Sequence, residues 1–161
     1  FVSASAGNSG PGDGTVTNVA PWITTVGAGT MDRSFPADIV LGDGSVMQGV
    51  SMYSGKGLAP GRQFPLVYAG DAGRAESMDA YSSSLCMEGS LDPEVIKGKI
   101  VLCERGNNPR VLKGSVVKQA GGVGMILYNT ASDGEGLIAD PHLLPAAAVG
   151  SAAGDSIRRY I

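Results

Sequence analysis

One histidine, two cysteines and a small surplus of acid over base are what this 161-residue sequence has little of, and each shortage removes a class of function. With His142 as its single imidazole and only Cys86 and Cys103 beside it, the chain lacks the closely spaced ligands of a zinc site. Lys and Arg number 12 against 15 Asp and Glu, and a net charge of −3 argues against a nucleic-acid partner. The one basic grouping, Arg105, Arg110, Lys113 and Lys118, is sparse and reads as a solvated face. No apolar run approaches the roughly 18 residues of a membrane span. The amino terminus has no signal-peptide pattern. Asn8, Asn18, Asn107, Asn108 and Asn129 all fail the Asn-x-Ser/Thr rule for glycosylation. There is no Gly-x-Ser-x-Gly turn, no Walker pattern and no internal repeat.

What is present is a globular composition, 43% hydrophobic and 17% charged, with 25 glycines that imply many turns. The length suits one domain, or one domain and part of another. Residues 1–6 read as a strand of small and apolar side chains, and "NSGPGDG" supplies turn chemistry at nearly every position. Residues 22–29, "WITTVGAG", are a second strand candidate, and residues 39–53 read as a hairpin about Gly42, Asp43 and Gly44. "SGKGLAPGRQF" resembles a linker, which places a boundary near residue 57. Beyond it, strands and helices alternate. Asp92 and Pro93 start a helix that turns into a strand over 99–103. Leu112, Val116 and Ala120, with Val117 beside them, predict one apolar helix stripe ended by Gly121 and Gly122. "VGMILYN" and "LLPAAAVG" are further extended segments, and a last helix begins at a Ser151 cap.

Few residues offer chemistry. His142 lies between two prolines in "DPHLLP" and reads as structural. Asp133 and Glu135 flank Gly134 in a loop composition and read as a solvated turn rather than a carboxylate pair. The Gly-rich stretches are turns, so no cofactor and no metal is expected. Cys86 and Cys103 fit a disulfide or two free buried thiols equally well; closing that loop would contribute roughly 3 kcal/mol. Asn8, in "SASAGNSGP", is by itself an ordinary turn residue, though its neutral amide suits an oxyanion donor.

Longer matches change the weight of these residues. "SASAGNSGPG" followed by "TVTNVAPWITTVGAGTMDRSFPADIVLGDG" resembles the subtilisin-like serine proteases of plants. "GSLDPEVIKGKIVLCERGNN", "KGSVVKQAGGVGMILYNT" and "LIADPHLLPAAAVG" resemble the protease-associated (PA) domain inserted in those enzymes. The resemblance implies an α/β fold: part of a parallel-sheet catalytic domain over residues 1–57, hairpin 39–53 included, then a PA domain over 58–161, a mixed, barrel-like sheet with short helices. It implies that Asn8 is the oxyanion-hole asparagine, that Cys86 and Cys103 are disulfide-bonded, and that the parent protein is secreted to the apoplast. The catalytic Asp, His and Ser motifs of the family do not occur in this sequence, and His142 cannot inherit the base role. The chain therefore reads as a middle segment that does not hydrolyse peptides alone. The implied partners are peptide or protein substrates and a second copy through the PA domain, with neither nucleic acid nor membrane. A non-catalytic interaction module of PA type is the competing expectation. Residues 1–33, if alone, are expected to be mobile or paired with another copy.

Overall fold

Small and β-branched residues near the amino terminus form two short strands, β1 (Ser3–Ser5) and β2 (Thr24–Val26). They run parallel, with Ala4 opposite Thr25. The structure is a computed structural model that describes residues 1–29, 31–75 and 79–161. Its chain forms two compact units, Phe1–Arg33 and Ser34–Ile161. In the first, Val2, Val16, Val19, Trp22 and Val26 remain largely exposed, so two strands alone bury little apolar surface.

The second unit opens with the hairpin β3 (Ile39–Val40) and β4 (Val46–Met47), antiparallel with Val40 opposite Val46. Gly44 takes φ +83° in its turn, and the Asp43 carboxylate accepts from the Ser45 backbone N–H at 2.9 Å. The remainder is β5 (Leu66–Tyr68), a 3-10 turn at Ala69–Asp71, α1 (Ala80–Ser84), α2 (Pro93–Ile96), β6 (Ile100–Glu104), α3 (Arg110–Gln119), β7 (Gly124–Tyr128), β8 (Ala146–Val149) and α4 (Ser151–Tyr160). The four strands form one sheet in the order β5-β6-β7-β8, every pair parallel. Parallel neighbours need long crossovers, and the helices supply most of them. Antiparallel pairing in this mixed α/β unit comes, among the described residues, from the β3–β4 hairpin and from isolated bridges, one of which, Val50 to Ala148, lies at the β8 edge.

Both faces of the sheet are covered, which explains the near-continuous apolar runs of its strands. Alternation sorts their side chains. Val101, Cys103, Met125 and Leu127 join Ile96, Val116, Val117 and Leu144 on one face. Leu102, Ile126, Tyr128 and Val149 join Leu41, Tyr68 and Ile157 on the other. The hairpin thus belongs to the second core through Leu41, with Ile39 and Met47 against it. That is why the compact units part at residue 33, whereas the sequence divides the chain near residue 57: composition marks the Gly-rich stretch, but not which core the hairpin joins.

Two local expectations differ from the structure. Val116, Val117 and the C-cap residue Ala120 of α3 are buried as expected, but Lys113 completes the buried stripe in place of Leu112, which is exposed. Helix α4 is capped from a distance, not by Ser151. Its N-cap residue is Gly150, and Glu135 Oε1 accepts from Ser151 Oγ at 2.6 Å and from the Ala152 N–H at 2.9 Å. Helix α1, too short and serine-rich for a periodic signal, is held by Asp79, whose carboxylate accepts from the Ser82 N–H at 2.7 Å.

Candidate functional site

In the first unit, the turn carrying Asn8 leaves the carboxyl end of β1. The Ala6 N–H donates to the Val26 carbonyl at 2.9 Å, and the Ala6 carbonyl accepts from the Thr17 N–H at 3.0 Å. Gly7 then takes φ +88°, and a Cβ there would stand 2.9 Å from Thr17 Oγ1. Glycine is required on both counts. The turn delivers Asn8 to an exposed position, where its amide makes no hydrogen bond among the described residues. An unengaged amide on a backbone-anchored turn can donate to an incoming oxygen without first breaking a bond of its own. Asn18, to which the sequence assigns no role of its own, lies against the same turn and donates from Nδ2 to the Ser5 carbonyl at 2.8 Å.

In the second unit the basic grouping is not a solvated face. Arg110 forms a two-pronged pair with Asp140, Nε to Oδ2 at 2.6 Å and a terminal nitrogen to Oδ1 at 3.0 Å. Arg105 lies 3.4 Å from Asp133, and the terminal nitrogen of Lys118 donates to the Leu143 carbonyl at 3.0 Å. Asp133 and Glu135 are likewise engaged. Asp133 accepts from Thr130 Oγ1 at 2.7 Å, and Glu135 caps α4, so neither is free to act in a carboxylate pair. His142 is buried against α3, where a Cβ on Gly114 would meet its Nδ1 at 2.9 Å. Burial holds the His142 pKa below its ordinary value; Asp140 pulls it up and Arg110 pushes it down. Its Nδ1 has no hydrogen-bond partner among the described residues, the state of a packed imidazole rather than an oriented base.

Cys86 and Cys103 form a disulfide, both fully buried, which ties the end of α1 to β6. Beside it lies the residue that sequence reasoning misplaced most. Lys113 is completely buried, donating to the Leu85 carbonyl at 2.7 Å and to Asn108 Oδ1. Asn108 Nδ2 in turn reaches the Leu85 carbonyl at 3.2 Å. Burial pushes the Lys113 amine down to about 8, against the opposing pull of Glu104. Between pH 8 and 10.5 the unfolded chain therefore holds this proton more often than the folded one, so stability should rise with pH across that window. The gain is at most about 3 kcal/mol, reduced by solvent screening. Denaturant unfolding of the parent and of Lys113→Met at a series of pH values checks it. The rise should vanish in the variant, and equal slopes in both would reject it.

A groove of about 970 Å³ runs along the amino ends of the four-stranded sheet, lined by Ile39, Leu58, Phe64, Leu66, Ile100 and Tyr160 among others. Tyr160 Oη accepts from the Gly42 N–H at 3.0 Å and links the hairpin to the end of α4 across it. No group of three or more His, Cys, Asp or Glu that could hold a metal ion occurs among the described residues. No helix among them is long and apolar enough to cross a membrane.

Comparison with known proteins covers both units of the chain. A family model described as "PA domain" matches residues 62–157. The subtilisin-like protease SBT1.5 of Arabidopsis thaliana is 63% identical over 161 residues, all of this chain and 20% of that protein. The subtilisin-like protease SBT1.6 of the same plant is 61% identical over 160 residues, 99% of this chain and 20% of its own length. The chain thus spans about a fifth of the curated relatives it matches. Among solved structures, a zinc aminopeptidase from Bacillus subtilis (BSAP) superposes with a TM-score of 0.51 at 19% identity, over 78% of this chain and 28% of that one. That likeness concerns the fold alone.

Proposed function

Because this chain belongs to the PA domain family through residues 62–157, and its similarity to plant subtilisin-like proteases also takes in the Asn8 turn, we propose that it works as a segment of a secreted serine endopeptidase of that kind. In this reading residues 1–57 belong to the catalytic domain and 58–161 to the PA domain. The catalytic Asp, His and Ser come from outside the segment. When the serine, relieved of its proton by the histidine, attacks a peptide carbonyl, negative charge gathers on the carbonyl oxygen. Asn8 donates its side-chain N–H to that oxygen and stabilises it without adding a charge of its own. The observation that carries the reading is the Asn8 turn: an exposed amide, unengaged among the described residues, on a backbone tied at Ala6 to both Val26 and Thr17.

The second unit would act through its surface, shaping substrate access or joining a second copy, and its groove between hairpin and α4 is the surface we assign to that role. A buried disulfide fits folding in an oxidising compartment, in keeping with secretion to the apoplast. A non-catalytic interaction module is the second reading, favoured by the separate core and groove of the second unit.

A fluorophosphonate probe, which reacts only with an activated serine, separates the two readings. The full-length protein should be labelled at a serine outside these residues, and the 161-residue chain should not be labelled at all. A full-length protein that takes no label would favour the interaction module.

A further inference from the structure

Asn8 is exposed and its amide is unengaged among the described residues, so its aim depends on the backbone that carries it. An oxyanion donor must lie within about 2.7–3.1 Å of the developing charge, and a misplacement of about 1 Å is costly. What fixes that backbone is visible in the first unit. One side is the bond from the Ala6 N–H to β2. The other is a stretch of two residues. Thr17 donates its N–H to the Ala6 carbonyl and fills the space over Gly7. Asn18 then adopts φ +59°, a left-handed conformation that non-glycine residues seldom take and asparagine tolerates best. That conformation lets one residue reach both strands: its Nδ2 donates to the Ser5 carbonyl at 2.8 Å, and its own carbonyl accepts from Thr25 Oγ1 at 2.5 Å. Ser5 is the last residue of β1 and lies three positions before Asn8.

We propose that Asn18 is the positioning residue of the Asn8 turn: its amide bond to the Ser5 carbonyl fixes the course of residues 5–8 and so the aim of the Asn8 donor. The proposal rests on the reading of Asn8 as an oxyanion donor. Asn18 touches no reacting atom and acts only through Asn8. A residue that merely supports the fold would affect stability and active-enzyme yield. A residue that aims the donor affects transition-state binding, and loses its effect once the donor is gone.

The test is a double-mutant cycle in the full-length protease, with kcat and KM measured on a peptide substrate and active enzyme counted by titration of the nucleophile. Asn18→Gly keeps access to the left-handed backbone and deletes only the amide. It should lower kcat by about tenfold with KM within about twofold. The Asn8→Ala/Asn18→Gly double variant should be no slower than Asn8→Ala alone. If the glycine variant fails to fold, Asn18→Asp, which retains the backbone preference but in its ionised form cannot donate, reports on the same bond. An Asn18 variant with unchanged kcat, or losses that multiply in the double variant, would overturn the proposal while leaving the Asn8 reading intact. An Asn8→Ala enzyme with unchanged kcat would overturn that reading, and the positioning role with it.

Discussion

Asn8→Ala in the full-length protein should lower kcat for the proposed peptide hydrolysis by about 10²–10³-fold and leave KM within about twofold. The magnitude, roughly 3–4 kcal/mol, is that of removing one side-chain donor from an oxyanion hole. The direction follows from the reading of Asn8 as an oxyanion donor, and the structure says what else the change would disturb. An amide that makes no bond among the described residues supports no neighbour, so its removal leaves no orphaned partner. The turn itself is held by backbone bonds from Ala6 to Val26 and Thr17, which a change at the Asn8 side chain does not touch. Substrate in its ground state has a planar carbonyl with little excess charge, so a donor aimed at the tetrahedral oxygen contributes to kcat and hardly to KM. Asn8→Asp should be at least as slow, because a carboxylate brings negative charge to the place where negative charge forms. A stopped assay with active-site titration decides it. Equal loss in the rate per total protein and in the fraction of titratable enzyme would mean misfolding, and an unchanged kcat would remove Asn8 from the mechanism.

The parts of this molecule legible in its sequence are those whose causes are local. Strands β6 and β7 are apolar at every buried position because both faces of their sheet are covered, and an uninterrupted run of that kind is easily read. Helix α2 starts where Asp92 accepts from the Glu94 N–H at 2.9 Å, two residues away, with Pro93 at its first position. The features that escaped have distant causes. The α3 stripe predicts Leu112 inside, yet Lys113 is inside, because the Leu85 carbonyl and Asn108 receive its ammonium and the core covers its aliphatic stem. Glu135 looks like a solvated loop residue until Ser151 and Ala152 are brought to it. The Asn8 turn is intermediate. Its glycine and asparagine announce a turn, but a donor's role is defined by the atom it serves, and only the family resemblance supplied that. Asn18 was legible as part of a motif and not as a brace, since nothing in its neighbours reveals a bond to Ser5, 13 residues earlier.

The double variant Cys86→Ala/Cys103→Ala should be less stable by about 3 kcal/mol, a fall in melting temperature of roughly 10 °C for the second unit. The bond joins residues 17 apart, and releasing that loop restores chain entropy to the unfolded state. Local circumstances decide whether the full loss appears. Cys103 lies inside β6, whereas Cys86 follows the short helix α1 in a left-handed conformation, φ +51°, that a non-glycine residue holds only under constraint. Apart from the disulfide, the segment is held by the buried Ser83, Ser84 and Leu85, by Ser83 Oγ donating to the Ser90 carbonyl at 3.4 Å, and by donors to its carbonyls, Lys113 and Asn108 to Leu85 and Asn108 to Cys86 at 3.4 Å. Five helical residues with a single Asp79 cap add little stability of their own. The covalent tie is therefore a main restraint on residues 80–86, and alanine at both positions also leaves unfilled space where two sulfurs were packed. Thermal unfolding of the 161-residue chain, with and without a strong reductant, measures the effect. Reductant should lower the melting temperature of the parent toward that of the variant and leave the variant unchanged. A variant within about 1 kcal/mol of the parent would mean that the buried lysine and asparagine hold residues 80–86 unaided.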